Sequence, residues 1–506
     1  MVDTFTPSKY QEAIFDWVQH GAGNLVISAT AGSGKTKTLE LICHLLIEKA
    51  IAPDNILSLA FNKDIVTELN KRLNVLGIQA QTLNSLGHRA LSKHLKRYPT
   101  LENRKYNDLA YEYLNNLGIP NKQMADTLRE VRALIAFAMS SMSDLSDESL
   151  YALLDHYGID VPNALNDTDM FNLVRHVLSV GERLAREKGI IAYDDQIYLP
   201  VKWGVRMPQY QYVLLDESQD VSASKLELTL MTQNANTRFI FCGDKNQSVY
   251  GFSGSDCDSM DKIIERTKAK TLNLSICYRC PKAVVREAQK IVSDIEFAPN
   301  APEGIVRTIM DTELLTQLRD GDMVLCRINK PLVQLTLKLI GSGIKAKMRG
   351  RNFSQTLTRL AKEAMGKHGI WSDFVNLLTA HYIKKRHTLE ARKAAESQVE
   401  SLTDQIESVR VCYDNFNATS LEDFNQQLEN LFADETHEGI TLSSSHRAKG
   451  MQNPRVFVIK PEKLPLKFKN QQPWERVQES NLLFVTITRA MEELVWVKTT
   501  DEEDKK

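Results

Sequence analysis

The sequence predicts an α/β protein with two parallel-sheet cores, each interrupted by a mostly helical insertion. Three observations carry this prediction. Short apolar runs bounded by turn residues recur along the 506 residues and alternate with helix-period stretches, as buried parallel strands and their crossover helices do. A loop of small residues joins one such run to a helix near the N-terminus. Residues 91–190 and 354–438 hold charged, helix-period sequence with no comparable run. The clear strand candidates are Leu25 to Ser28, Ile56 to Ala60, Tyr212 to Leu215, Phe239 to Cys242, Met323 to Cys326 and Val456 to Ile459.

The loop reads Ala29-Thr30-Ala31-Gly32-Ser33-Gly34-Lys35-Thr36, and the helix-period stretch Leu39-Glu40-Leu41-Ile42 follows it. Small residues let successive backbone N–H groups turn inward on phosphate oxygens, and the helix start adds its positive dipole end. Lys35 is placed to neutralise the β and γ phosphates of a nucleotide, and Thr36 to hold Mg²⁺. The strict pattern opens with Gly six residues before the Lys. Here that position is Ala29.

The second half of such a site is a strand that ends in a carboxylate. Tyr212-Val213-Leu214-Leu215 delivers Asp216 and Glu217 to a strand end. An adjacent acid pair alone is ordinary on a surface; behind a phosphate-binding loop it fits two distinct roles, Asp216 toward Mg²⁺ and Glu217 toward an attacking water.

Composition narrows the remaining classes. With 42% hydrophobic and 25% charged residues the chain reads as soluble and globular, long enough for about three or four domains. No run approaches the ~18 apolar residues of a membrane span, and the N-terminus lacks a signal-peptide layout, so a cytoplasmic protein without a membrane partner is expected. Of the seven cysteines only Cys277 and Cys280 are close in sequence. Zinc needs a second ligand pair, and none is evident, so no zinc site is expected. Net charge is −1, so any nucleic-acid contact must use local basic surfaces. Two clusters qualify: Arg89, Lys93, Lys96, Arg97, Arg104 and Lys105 with Tyr98 and Tyr106 interleaved, and Lys345, Lys347, Arg349 and Arg351. The charged tail, residues 500–506, reads as disordered.

In order along the chain, from Gln11 to Arg489, these segments and several further ones resemble the UvrD/Rep/PcrA-type DNA helicases of superfamily 1. Ala60-Phe61-Asn62-Lys63 and Glu479 to Ala490 are most similar to the branch that includes the F-box DNA helicases, although no F-box is apparent. The resemblance implies two RecA-like domains: a first core at 1–90 and 191–275, a helical insertion at 91–190, a second core at 276–353 and 439–506, and a short helical insertion at 354–438.

The resemblance also implies roles for single residues. Gln11 takes the family's adenine-reading position, its amide able to donate and accept. Ala31, Gly32, Ser33, Gly34, Lys35, Thr36 and Lys37 form the nucleotide loop. Gln247 senses the γ-phosphate. Tyr250 and Phe252, three and five residues on, match aromatics that contact single-stranded DNA, where stacking tolerates any base. In Cys277-Tyr278-Arg279, Tyr278 stacks on adenine and Arg279 reaches the γ-phosphate; Arg489 is the other arginine finger. Phe61, Asn62, Thr82, Ser85, Ser445, His446 and Lys449 match single-strand contacts, and Gln452 stands where an acidic residue usually holds the ribose. Asp194-Asp195-Gln196 fits a short acidic signature to which no chemistry is assigned.

The implied function is an ATP- and Mg²⁺-dependent DNA helicase moving 3′ to 5′ on single-stranded or tailed DNA in repair, recombination or replication. Three departures qualify it: Ser253 replaces an expected Arg, Gln452 carries no charge, and the second insertion is short for the family. No nuclease motif follows the last helicase segment. The alternatives are an ATP-driven translocase that works with a partner nuclease or strips proteins from DNA, in repair or defence, and a nucleotide-switched DNA-binding subunit.

Overall fold

The computed structural model describes residues 6–249, 258–366, 369–391, 396–432, 439–469 and 471–500. Tyr250, Phe252, Ser253 and Cys257, and residues 501–506 of the charged tail, lie outside the described residues. The chain divides into two compact units, Met1–Thr30 with Gly34–Ser275, and Ile276–Lys506 with Ala31–Ser33.

The first unit is built on a six-stranded parallel sheet in the order Ala80–Thr82, Ile56–Ala60, Tyr212–Leu215, Arg238–Gly243, Leu25–Ala29, Lys270–Leu274. Alternation along the strands sends Val26, Leu57, Leu59, Val213 and Phe241 to one hydrophobic cluster, and Leu25, Ile27, Ile56, Leu214 and Ile240 to another. Both faces are therefore covered, which is why the central strands read as unbroken apolar runs. One face is covered by Lys9–His20, Lys35–Glu48 and Lys63–Leu73 through Ile14, Ile42 and Leu69.

The cluster on the other face runs on into the helices Lys105–Asn116, Asn121–Ser141, Asp147–Tyr157 and Asp167–Lys188, through Leu114, Leu134, Leu150 and Val174. A two-residue parallel pair, Thr100–Leu101 with Ile190–Ile191, closes the base of this helical group. Beside it sits a buried polar knot. Asp195 accepts hydrogen bonds from Lys105 Nζ at 2.5 Å, Tyr106 Oη at 2.5 Å and the Ala192 amide at 2.7 Å. The Lys105 and Asp195 side chains are 1% and 0% exposed. Burial lowers the Lys105 pKa while Asp195 opposes that shift, and burial together with Asp195 raises the Tyr106 phenol well above its usual range. The next helix, Asp195–Lys202, lies so close to Leu83–Leu95 that a Cβ on Gly87 would meet the Gln196 carbonyl oxygen at 1.8 Å.

The second unit repeats the plan. Its six parallel strands run in the order Ile305–Met310, Ala490–Lys498, Asn453–Ile459, Met323–Cys326, Ile440–Ser444, Ala346–Met348. Between the last two in that order the chain runs through Arg351–Met365, Phe374–Ala391, Glu396–Asn415 and Leu421–Leu431, whose Leu357, Phe374, Val409 and Phe424 share one cluster with Val324, Leu442 and Phe457 of the sheet. Asp404 of this group accepts hydrogen bonds from the Asn329 and Lys330 amides at 2.9 and 2.7 Å, capping the helix Lys330–Gly341, which has no side-chain cap of its own. Among the described residues no helix is long and apolar enough to cross a membrane.

Removing one partner of the Lys105–Asp195 pair leaves a buried charge without its counter-ion. Asp195→Asn is expected to destabilise the first unit by about 3–5 kcal/mol, read as a lower midpoint in chemical denaturation. Lys105→Met combined with Asp195→Leu should restore part of that loss. An unchanged midpoint for the single variant would show that the pair contributes nothing.

Candidate functional site

The loop after Leu25–Ala29 turns on Gly32 and Gly34, whose φ angles of +68° and +81° suit glycine. Gly34 is also the N-cap of Lys35–Glu48 and has no side chain to occupy the first amides of that helix, so they remain available to an anion. Lys35 Nζ lies 3.2 Å from Glu217 Oε2. Burial opposes the charge on Lys35, but Glu217, Asp244 and Asp216 outweigh it and hold the ammonium above its usual range.

Asp216 follows the central strand Tyr212–Leu215. Its amide donates to the Leu59 carbonyl at 3.1 Å, and its Oδ2 accepts from Thr36 Oγ1 at 3.4 Å. Burial, then the neighbouring charge of Glu217, pushes its pKa up to about 6 against the pull of Lys35. The strand-end turn forces Glu217 into a left-handed conformation, φ +51°, which costs a residue with a Cβ about 1–2 kcal/mol. The turn lets the Glu217 amide donate to Asp216 Oδ1 at 2.8 Å while its carboxylate reaches Lys35.

Two residues to which the sequence reading gave no role complete the cluster. Gln219 donates through Nε2 to Glu217 Oε2 at 2.5 Å and accepts the Asp244 amide on Oε1 at 3.0 Å. Asp244 in turn accepts from Gln247 Nε2 at 2.7 Å. Glu217, Gln219, Asp244 and Gln247 thus form one chain of contacts, and Gly243 is needed within it because a Cβ there would meet Gln219 Oε1 at 2.7 Å. The only sequence signal was position: both linking residues lie within three residues of assigned ones, Glu217 and Gln247.

Gln11 is buried, and its amide is already engaged. Oε1 accepts from the Ser8 amide at 3.0 Å and Nε2 donates to Thr38 Oγ1 at 3.1 Å, so one N–H and one lone pair remain for a base. Lys37 points along its helix to Glu40 Oε1 at 2.7 Å.

In the second unit Tyr278 is 52% exposed, as a stacking ring must be. Arg279 Nη1 makes a long contact of 3.5 Å to the Thr488 carbonyl. Arg489, the other expected arginine finger, is fully buried; it donates to the Val485 carbonyl at 2.8 Å, the Met451 carbonyl at 2.9 Å and Thr488 Oγ1 at 3.2 Å. These bonds pin the end of the helix Pro473–Ile487. Ser445, His446 and Lys449 share the turn after Ile440–Ser444; Ser445 is fully buried with an unpartnered Oγ, and burial with the nearby Arg327 holds His446 well below its usual range. Gln452 is exposed.

Phe61, Asn62, Thr82 and Ser85 come together on one cleft of about 1030 Å³ in the first unit. Asn62 and Thr82 also cap the helices Lys63–Leu73 and Leu83–Leu95, and Lys225 Nζ sits 4.5 Å over the Phe61 ring. Of the first basic cluster Arg89 and Tyr98 line this cleft. Lys105 and Tyr106 do not; they turn inward to Asp195, and Arg97 is tied to the Arg186 and Glu187 carbonyls. Lys345 and Arg349 of the second cluster are exposed beside the edge strand Ala346–Met348.

A family model described as "UvrD/REP helicase N-terminal domain" matches residues 10–268. The ATP-dependent DNA helicase PcrA of Staphylococcus epidermidis is 25% identical over 292 residues, which cover 53% of this chain and 38% of that protein. The protein of the same name from Staphylococcus aureus is 25% identical over 296 residues, 54% of this chain and 38% of that protein. The chain thus spans well under half the length of the curated relatives it matches.

Gln219 touches the carboxylate of Glu217 and not the phosphate loop, so its loss separates positioning from binding. Gln219→Ala is expected to keep nucleotide affinity close to that of the native chain and to lower hydrolysis about ten- to hundredfold. Equal losses in affinity and turnover would assign it to binding.

Proposed function

Because the chain belongs to the UvrD/Rep helicase family, we propose that it is an ATP-dependent DNA helicase that moves 3′ to 5′ along single-stranded DNA, in repair, recombination or replication. The observation that carries the proposal is the convergence of Lys35, Thr36, Asp216 and Glu217, from two strand ends and a helix start, with Gln219 and Asp244 holding the Glu217 carboxylate in place.

In this reading the loop amides and Lys35 hold the β and γ phosphates of ATP. Glu217 orients the attacking water and Gln247 lies at the γ-phosphate, the two joined through Gln219 and Asp244. Thr36 Oγ1 and Asp216 Oδ2 are hard oxygen donors, and Asp216 is an acid whose charge is opposed by burial and by Glu217; this donor set suits Mg²⁺. When bound, Mg²⁺ supplies charge neutralisation for the phosphate oxygens. The cleft carrying Phe61, Asn62, Thr82 and Ser85 takes the DNA strand, and Tyr250 and Phe252 keep the stacking role the resemblance gives them. The domain limits follow the family plan, with insertions at 91–190 and 354–438.

The short second insertion favours a second reading, an ATP-driven translocase acting with a partner nuclease or stripping proteins from DNA. ATP hydrolysis with and without single-stranded DNA, together with strand displacement from 3′-tailed and 5′-tailed duplexes, tests both. DNA-stimulated hydrolysis with 3′-tailed unwinding is expected; stimulation without unwinding supports the translocase, and slow hydrolysis indifferent to DNA would overturn both in favour of a nucleotide switch. Lys35→Ala should abolish turnover through lost binding, and Glu217→Gln should abolish it with ATP still bound. Normal hydrolysis by either variant would remove the site assignment.

A further inference from the structure

The cleft of the first unit holds polar atoms that its own fold leaves without partners. His88 is 8% exposed, and neither ring nitrogen has a hydrogen-bond partner; Gln81 Oε1 is also buried and unpartnered. Both residues line the cleft. Unmet buried polar atoms are rare and costly, so several along one cavity point to a ligand that meets them. Two aromatic rings lie open on the same cavity. Tyr98 is 81% exposed, with its ring centroid 4.8 Å from that of His88, and Tyr193 is 55% exposed. Large exposed rings beside cations, here Arg89 and Lys225, suit a strand whose bases stack and whose phosphates need neutralising.

Resting on the single-strand reading above, we propose that this cleft is a nucleobase pocket that favours guanine, with Tyr98 and Tyr193 stacking on an unpaired base while His88 and Gln81 hydrogen-bond its edge. Burial pushes the His88 ring below its ordinary range, so it is neutral and its unprotonated nitrogen is an acceptor; the two ring nitrogens point apart, so one base edge meets one of them. Gln81 Oε1 adds a second acceptor. Guanine presents the complement to two acceptors on its Watson–Crick edge, the donors on N1 and N2, whereas thymine presents a single donor there. The exposed Tyr98 ring covers His88, and a base entering beside it reaches the imidazole once that ring turns aside. A motor that steps along any strand would then dwell at guanines.

The test is fluorescence-anisotropy binding of the full chain to an oligo-dT strand and to the same strand carrying isolated guanines, or isolated adenines, spaced so that no quadruplex forms. Guanines are expected to tighten binding about three- to tenfold, adenines less, and His88→Phe to erase the difference between strands. Tyr98→Ala should weaken binding to every strand. If His88→Phe does not fold, Gln81→Met is read in the same way, and the comparison on the native chain needs no variant. Oligo-dT binding with no guanine preference would overturn the pocket and leave the DNA-binding reading standing. Absence of binding to every strand would overturn both.

Discussion

The candidate site of the first unit is arranged around one cation, Lys35. Lys35 leaves the phosphate loop at the end of its strand and meets Glu217, with Asp216 and Asp244 close enough to raise its pKa further. Three acids around one ammonium leave a surplus of negative charge in a poorly solvated place; burial first, and then the Glu217 charge, hold Asp216 up to about 6. A structure relieves such an imbalance by protonating an acid or by binding a cation. In the proposed function the second outlet, combined with loop amides that donate to the phosphates, makes this imbalance suit a metal nucleotide. The left-handed Glu217 belongs to the same logic, since only that backbone lets its amide satisfy Asp216 while its carboxylate reaches Lys35.

A second constraint recurs in both units: a helical group inserted into a sheet protein must be tied to it by more than apolar contact. In the first unit Asp195, placed just after the insertion, draws in Lys105 and Tyr106 from the start of the insertion's first helix. In the second, Asp404 reaches from the inserted helices to cap Lys330–Gly341. Hydrophobic packing tolerates sliding, whereas a buried carboxylate with several donors has one satisfactory arrangement. Each helical group is thereby tied to a neighbouring helix by a buried carboxylate.

The legible parts of the sequence were those whose chemistry is local. The phosphate loop and the Asp216–Glu217 strand end could be read because a strand, a turn and a reactive side chain lie within a few residues. The central strands could be read because burial on both faces demands unbroken apolar runs. The strands Ala80–Thr82, Lys270–Leu274 and Ala346–Met348 are sheet edges interrupted by Gln, Lys, Thr and Asn, and so show no such run. Ile440–Ser444 and Ala490–Lys498 were hidden by internal serines and glutamates. Partnership over distance was least legible. Lys105 and Tyr106 look like a nucleic-acid surface until Asp195, ninety residues on, takes them inward, and nothing local in the sequence announces that Arg489 bonds the carbonyls of Val485 and Met451. The link between Gln219 and Asp244, through the Asp244 amide on Gln219 Oε1, appears only in the fold.

The topology of the first sheet supplies a route between its two candidate sites that needs no long-range wire. Ala80–Thr82, Ile56–Ala60 and Tyr212–Leu215 are consecutive in the sheet and parallel, so their C-terminal ends share one edge, where ligands of such sheets gather. Those ends carry Thr82, Phe61 and Asp216 in turn. The Asp216 amide is bonded to Leu59, two residues before Phe61. In the proposed function, a displacement of the Asp216–Glu217 turn would act on the strand that leads to Phe61, and Lys225 over that ring extends the contact to the next helix. The coupling is reciprocal: a strand that fixes Phe61 biases the Glu217 turn by the same free energy. In the proposed function, DNA-stimulated hydrolysis and hydrolysis-driven movement would both pass through this hydrogen-bonded pair of neighbouring strands.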